Sequence, residues 1–195
     1  MSSATPAMQP KGANFVQTVS TTSGANLKVC LQCRKCSSGC PVAARADITA
    51  HQVVRLVQLG QEDEVLSSRM IWECTSCQTC ITRCPQKVDI PAMMDGLRRL
   101  AKAAGKTTKE TKVPAFNEIF LSNVQSRGRM YEMGLMASFK LRTGDLFADV
   151  DKFPMMLKKG KLPLLPSKKV RGGSDRKAMF ERARKSANGG KGGQA

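Results

Sequence analysis

The chain has 195 residues, enough for one domain with a modest core plus extensions, and no apolar run approaches the ~20 residues that a membrane helix needs. Its formal charge is +17, yet aromatics make up only 5% and no recognised nucleic-acid motif occurs, which argues against nucleic acid as the partner. The excess lies late in the chain, with thirteen basic and three acidic side chains in residues 151–195 against nine and six in residues 1–90. A basic chain of this kind is expected to stand fixed against an acidic neighbour rather than to shuttle freely.

Residues 1–26 are rich in Ser, Thr, Ala and Gly and read as a flexible N-terminal arm. A run of cysteines follows, Cys30, Cys33, Cys36 and Cys40, closed by Pro41. The same CxxCxxCxxxCP spacing returns 44 residues later as Cys74, Cys77, Cys80, Cys84 and Pro85, which accounts for all eight cysteines. Bacterial-type ferredoxins hold a [4Fe-4S] cube with this run, because three closely spaced thiolates on a tight loop can cap three irons of one cube. Two runs predict two [4Fe-4S] clusters. The fourth cysteine stands directly before a proline, a placement suited to the first turn of a helix, and points away from its own loop. In two-cluster ferredoxins that cysteine serves the other cluster. Cys30, Cys33, Cys36 and Cys84 are therefore expected to hold one cube, and Cys74, Cys77, Cys80 and Cys40 the other.

Structural zinc and disulfides are the rival uses of such cysteines. Zinc takes two pairs, whereas each run here adds a third evenly spaced cysteine and the CP ending. No signal-peptide pattern precedes the runs, which argues for a reducing, cytoplasmic setting and against disulfides.

Between the runs, Asp47 is placed to cap a helix whose stripe of Ile48, Val53, Val54, Leu56, Val57 and Leu59 ends at Gly60, and a shorter helix spans Glu62 to about Arg69. After the second run, Asp89 and Pro91 open a helix in which Met93, Leu97, Leu100 and Ala104 share one face and Arg98, Arg99 and Lys102 the other, ending at Gly105. The pairs Asp47-Ile48 and Asp89-Ile90 mark an internal repeat and a pseudo-twofold core. Pro114 opens another helix, with Phe116, Ile119, Phe120 and Val124 on one side and Gly128 at its end. Met130, Met133 and Met136 follow, as core or as an adaptable interface. The expected fold is mostly α: an α-helical ferredoxin over residues 27–143, with extended arms at both ends. Residues 144–170 alternate apolar clusters with Gly, Pro and Lys. They read as an irregular arm that docks on a neighbouring subunit or folds back on the chain's own helices, and residues 171–195 as a basic disordered tail.

The runs CLQCRKCSSGCP and CTSCQTCITRCP, the Ile71-Trp72-Glu73 approach to the second, the helix MDGLRRLAKAAG and the stretches RMYEMGLMASFKLRTGDLF and KKGKLPLLP resemble the C subunit of heterodisulfide reductase over about residues 28–172. That resemblance implies a relay between a flavin-containing A subunit and a catalytic B subunit, with chemistry on substrate left to the partner. The residues agree with a relay, since single-electron transfer needs clusters held rigidly away from water and no general base. His51, the only histidine, is expected to be a surface or capping residue, and Trp72 to pack over a cluster. Arg34, Lys35 and Arg83 adjoin the first ligand set, where the second run has Gln78 and Thr79. The first cube is therefore expected to have the higher potential and to be the later acceptor. The alternatives are the iron-sulfur subunit of a succinate or glycerol-3-phosphate type dehydrogenase, with its flavoprotein and membrane anchor, and a zinc-stabilised interaction module. Peripheral membrane contact is the less favoured reading.

Overall fold

The structure is a computed structural model that describes residues 12–106, 112–144, 153–160 and 170–188. The chain forms two compact units, Met1–Thr111 and Lys112–Ala195. All secondary structure among the described residues is helical, as the sequence leads one to expect.

In the first unit, α1 (Gly12–Ser23) packs against both α3 (Ala50–Leu59) and α7 (Ile90–Ala103). Val19, Val53, Val54, Val57, Met93 and Leu97 are fully buried there, with Val65 and Leu66 of α4 (Glu62–Ser67) and Met70 and Ile71 of α5 (Met70–Glu73). Gly96 permits the close approach of α1 to α7, because a Cβ at that position would stand 3.1 Å from Ser23 Cβ. The N-terminal arm is thus corrected over residues 12–26. Phe15, Val16 and Val19, spaced at helical intervals in a polar segment, insert into the core.

Two shorter helices, α2 (Lys35–Ser38) and α6 (Thr79–Arg83), lie within the cysteine runs and pack on each other. No helix starts at either CP pair. Ala43 N–H donates to Cys40 O (3.2 Å) and Lys87 N–H to Cys84 O (3.1 Å), so each proline occupies the second position of a tight turn instead.

Helix α3 is capped by Thr49, whose N–H donates to Gln52 Oε1 at 2.8 Å, rather than by Asp47. At the other end, Gly60 takes the left-handed conformation expected of it, with φ 72°. In α7, Asp89 accepts from Ala92 N–H at 2.9 Å beside a buried Pro91, as expected.

In the second unit, α8 (Val113–Arg127) ends at a left-handed Gly128 and packs on α9 (Glu132–Thr143), where the Phe116 and Phe139 rings meet edge to face at 5.7 Å. This unit also holds α10 (Phe153–Lys158) and α11 (Gly173–Asn188). The helical-ferredoxin span of 27–143 is corrected accordingly: the chain divides between Thr111 and Lys112, leaving α8 and α9 with the C-terminal residues. The disordered tail is corrected over residues 173–188. Asp175 in the first turn of α11 and Lys185 in the last suit the helix dipole, and Arg176 donates from Nε to Gln125 O at 2.9 Å, satisfying a carbonyl near the end of α8. Most of the 144–170 docking arm lies outside the described residues.

Candidate metal centre

The two cysteine loops repeat one unusual backbone. Gln32 and Ser76 take φ of 54° and 52°, and Arg34 and Gln78 take φ/ψ of 64°/−1° and 63°/−1°. Left-handed non-glycine residues cost of order 1–3 kcal/mol each and persist where function demands them. Four of them recur here at equivalent places, two in each loop. Alternating conformations of this kind turn successive N–H groups inward, forming a concavity suited to an anionic group.

Helices from the core fix the approach to each loop. Before the first run, Gln58 Nε2 of α3 donates to Leu27 O at 2.8 Å. Before the second, Arg98 of α7 donates from Nε to Ile71 O and from Nη2 to Cys74 O, while its Nη1 meets Asp95 Oδ1 at 2.8 Å. Asp47 ties the segment after the first run to the helix that leads into the second, accepting from Ser68 Oγ (3.0 Å), Arg69 N–H (2.8 Å) and Met70 N–H (3.0 Å). Partial burial raises its pKa, but the donors of Arg69, Ile48, Ser68 and Met70 outweigh this and hold the carboxyl below its ordinary value.

Two small, partly enclosed cavities result. Cys30, Cys33, Cys36 and Cys84 line the first, and Cys74, Cys77, Cys80 and Cys40 line the second, with Cys36 and Ile90 bordering both. Among the described residues no three His, Cys, Asp or Glu side chains converge tightly enough for a single ion. Four sulfurs from the two runs around each space fit a cubane, and eight sulfurs fit two.

Each loop pairs an exposed thiol, Cys33 or Cys77, with a half-buried one, Cys36 or Cys80. Burial raises the Cys36 thiol and pushes Cys80 up to about 11, whereas hydrogen bonding with Thr79 lowers Cys77. Gln32 Nε2 reaches Cys30 Sγ at 3.5 Å and Val88 N–H reaches Cys84 Sγ at 3.4 Å, so the first cavity has two donors aimed at its sulfurs. Apolar residues close the walls, among them Leu31, Pro85 and Val88 in the first cavity, and Val42, Met70 and Pro91 in the second.

His51 borders the first cavity. Its Nδ1 lies 2.8 Å from Ser37 Oγ and 2.9 Å from Thr49 Oγ1, and burial together with the Arg34 charge holds its pKa below the ordinary value. It joins α3 to the first loop. Trp72 is 8% exposed but borders neither cavity; Met70, at the start of the same helix, takes the place expected of it. The Arg83 guanidinium lies against Gly39, where a Cβ would collide with it, so this charge reaches from the second run onto the first. Gln58, Arg98 and Asp47 were not legible as anchors. Their partners are carbonyls, N–H groups and a hydroxyl 21 to 31 residues away, and no local pattern encodes them.

A family described as "4Fe-4S dicluster domain" matches residues 26–88. The chain is 34% identical over 91 residues to the C subunit of the H(2):CoB-CoM heterodisulfide,ferredoxin reductase of Methanothermobacter thermautotrophicus, covering 47% of this chain and 49% of that protein. It is 40% identical over 91 residues to the C2 subunit of the H(2)/formate:CoB-CoM heterodisulfide,ferredoxin reductase of Methanococcus maripaludis, with the same shares. To the iron-sulfur C 2 subunit of the CoB-CoM heterodisulfide reductase of Methanocaldococcus jannaschii it is 35% identical over 117 residues, covering 54% of this chain and 60% of that protein. The chain spans about half the length of the first two of these curated relatives. It carries a dicluster domain, and its cofactors are two [4Fe-4S] clusters.

Proposed function

We propose that this homologue of the heterodisulfide reductase C subunits is the electron-relay subunit of a heterodisulfide reductase-like complex in the cytoplasm, between a flavin-containing A-type subunit and a catalytic B-type subunit. Cys30, Cys33, Cys36 and Cys84 hold one cube, and Cys74, Cys77, Cys80 and Cys40 the other. The observation that carries this reading is the crossing of the fourth cysteines, each of which borders the cavity of the opposite run.

When bound, the clusters supply one-electron transfer. The chain's own residues do the rest. The left-handed backbone at Gln32, Arg34, Ser76 and Gln78 shapes the loops, Gln58 and Arg98 hold their approaches, and the apolar walls shield the half-buried sulfurs. Ile90, 3% exposed and bordering both cavities, puts an apolar side chain between them. Substrate chemistry falls to the B-type partner.

Purification of the native assembly with identification of its subunits tests the reading. An assembly containing an A-type flavoprotein and a B-type subunit, with about eight iron on this chain, is the expected result. A succinate or glycerol-3-phosphate dehydrogenase flavoprotein in their place would overturn it in favour of that alternative.

A further inference from the structure

We propose that the exposed tip of the first cysteine loop is the docking face for an acidic one-electron redox protein. This rests on the relay reading above and adds to it the surface used and the chemistry of the partner. Leu31 is 63% exposed and yet borders the first cavity, so a protein that covers it comes against the wall of that cavity and seals the wall from water. Val29, 37% exposed, extends the apolar tip, and exposed Lys28, Arg34 and Lys35 rim it with no carboxylate between Lys28 and Cys40. An apolar centre flanked by exposed basic side chains fits an apolar contact set among carboxylates.

The chain supplies its own control. Where the first loop has Leu31, Arg34 and Lys35, the second has Thr75, Gln78 and Thr79, and Arg34 and Gln78 share their backbone angles. The second tip therefore offers neither the apolar centre nor the positive rim. Because Arg34 and Gln78 share their backbone angles to within a degree, L31T/R34Q/K35T gives the first loop residues that the fold already accommodates at those places.

The test uses the full-length chain with both clusters and, as probe, an acidic plant-type [2Fe-2S] ferredoxin. At low salt the wild type is expected to bind the probe, with affinity falling steeply as salt rises, and carbodiimide coupling is expected to join probe carboxylates to Lys28 and Lys35. L31T/R34Q/K35T, or the single K35E should the triple variant load poorly with iron, is expected to weaken binding roughly tenfold. Equal affinity in wild type and variant, or links concentrated on the lysines of α11 instead, would overturn the proposal.

A second arm separates this surface from the relay reading. The photoreduced probe passes one electron to the chain, being oxidised as the chain is reduced, and the clusters' visible absorbance bleaches. Binding at the tip without bleaching would sink the relay and leave the surface standing. Bleaching at equal rates in wild type and variant would remove the surface and leave the relay.

Discussion

The two cysteine loops share a backbone and differ in almost everything attached to it. Left-handed residues fall at equivalent places with φ values matching within 2°, and each loop combines one exposed thiol with one half-buried thiol. Yet a neutral glutamine from α3 holds the first loop, while a guanidinium from α7 holds the second. One tip is apolar and basic, the other polar and without basic side chains. The shared part is what binding a cube demands of any chain. The different part is free to decide how strongly each site is held, at what potential it works and what it touches.

The most severe way to break the likeness is to remove the crossed ligands one at a time. Cys84→Ser should strip the cavity of the first run, and Cys40→Ser that of the second. In each case iron should fall from about eight to about four per chain while one reduced-cluster EPR signal survives. If each variant instead lost the cube of its own run, ligation would be uncrossed and the two halves would be independent.

Next in size come the anchors. Arg98→Ala removes a charged donor from two carbonyls at the approach to the second run, and should cost about 2 kcal/mol. Gln58→Ala removes one neutral hydrogen bond before the first run and should cost about 1 kcal/mol. Urea midpoints give the order, and protection of the Cys74 and Leu27 neighbourhoods in amide exchange gives the location. Equal losses in both places from either variant would mean that the halves are coupled too tightly for separate anchoring.

Asp47 sharpens the comparison, because its repeat partner Asp89 caps its own helix whereas Asp47 bridges to the other half. Its folded pKa is lowered, so the stability it contributes is fully present above the ordinary carboxylate pKa near ~3.9 and is lost as pH falls through the lower folded value. At pH 7, Asp47→Asn should cost about 1 kcal/mol after allowance for its exposure. The gap between wild type and variant in urea should narrow below about pH 4. A gap that stayed constant down to pH 3 would assign the effect to shape rather than charge.

These anchors also mark where sequence reading ends. The cysteine spacing and the caps at Gly60 and Asp89 are local patterns, and the structure follows them; the α7 stripe holds at Met93 and Leu97, but Met94 and Ala101 are buried in place of Leu100 and Ala104. Asp47 stood correctly before a helix, but Thr49 with Gln52 lies nearer its first turn, which freed the carboxylate for partners 21 to 23 residues away. Arg98 read as solvent-facing because helical periodicity says nothing of carbonyls arriving from another segment. Residues 12–26 read as an arm because three apolar side chains suffice when a ready-made groove between α3 and α7 receives them, and composition averages them away.

The smallest expected effect concerns potential. Arg34 and Lys35 are exposed, and charges at such sites act on their neighbours with about 0.2–1 kcal/mol, which for a one-electron couple corresponds to roughly 10–40 mV. Positive charge favours the reduced cluster, and the Gln32 amide and Val88 N–H add donors at Cys30 and Cys84. Arg34→Gln with Lys35→Gln should therefore lower one of the two reduction potentials by that amount and leave the other unmoved, with the shift shrinking as salt is raised. The affected signal should be the one that Cys84→Ser abolishes. Were it the one that Cys40→Ser abolishes, the charges would be acting on the opposite site, and the order of potentials read from the first loop would have to be reversed.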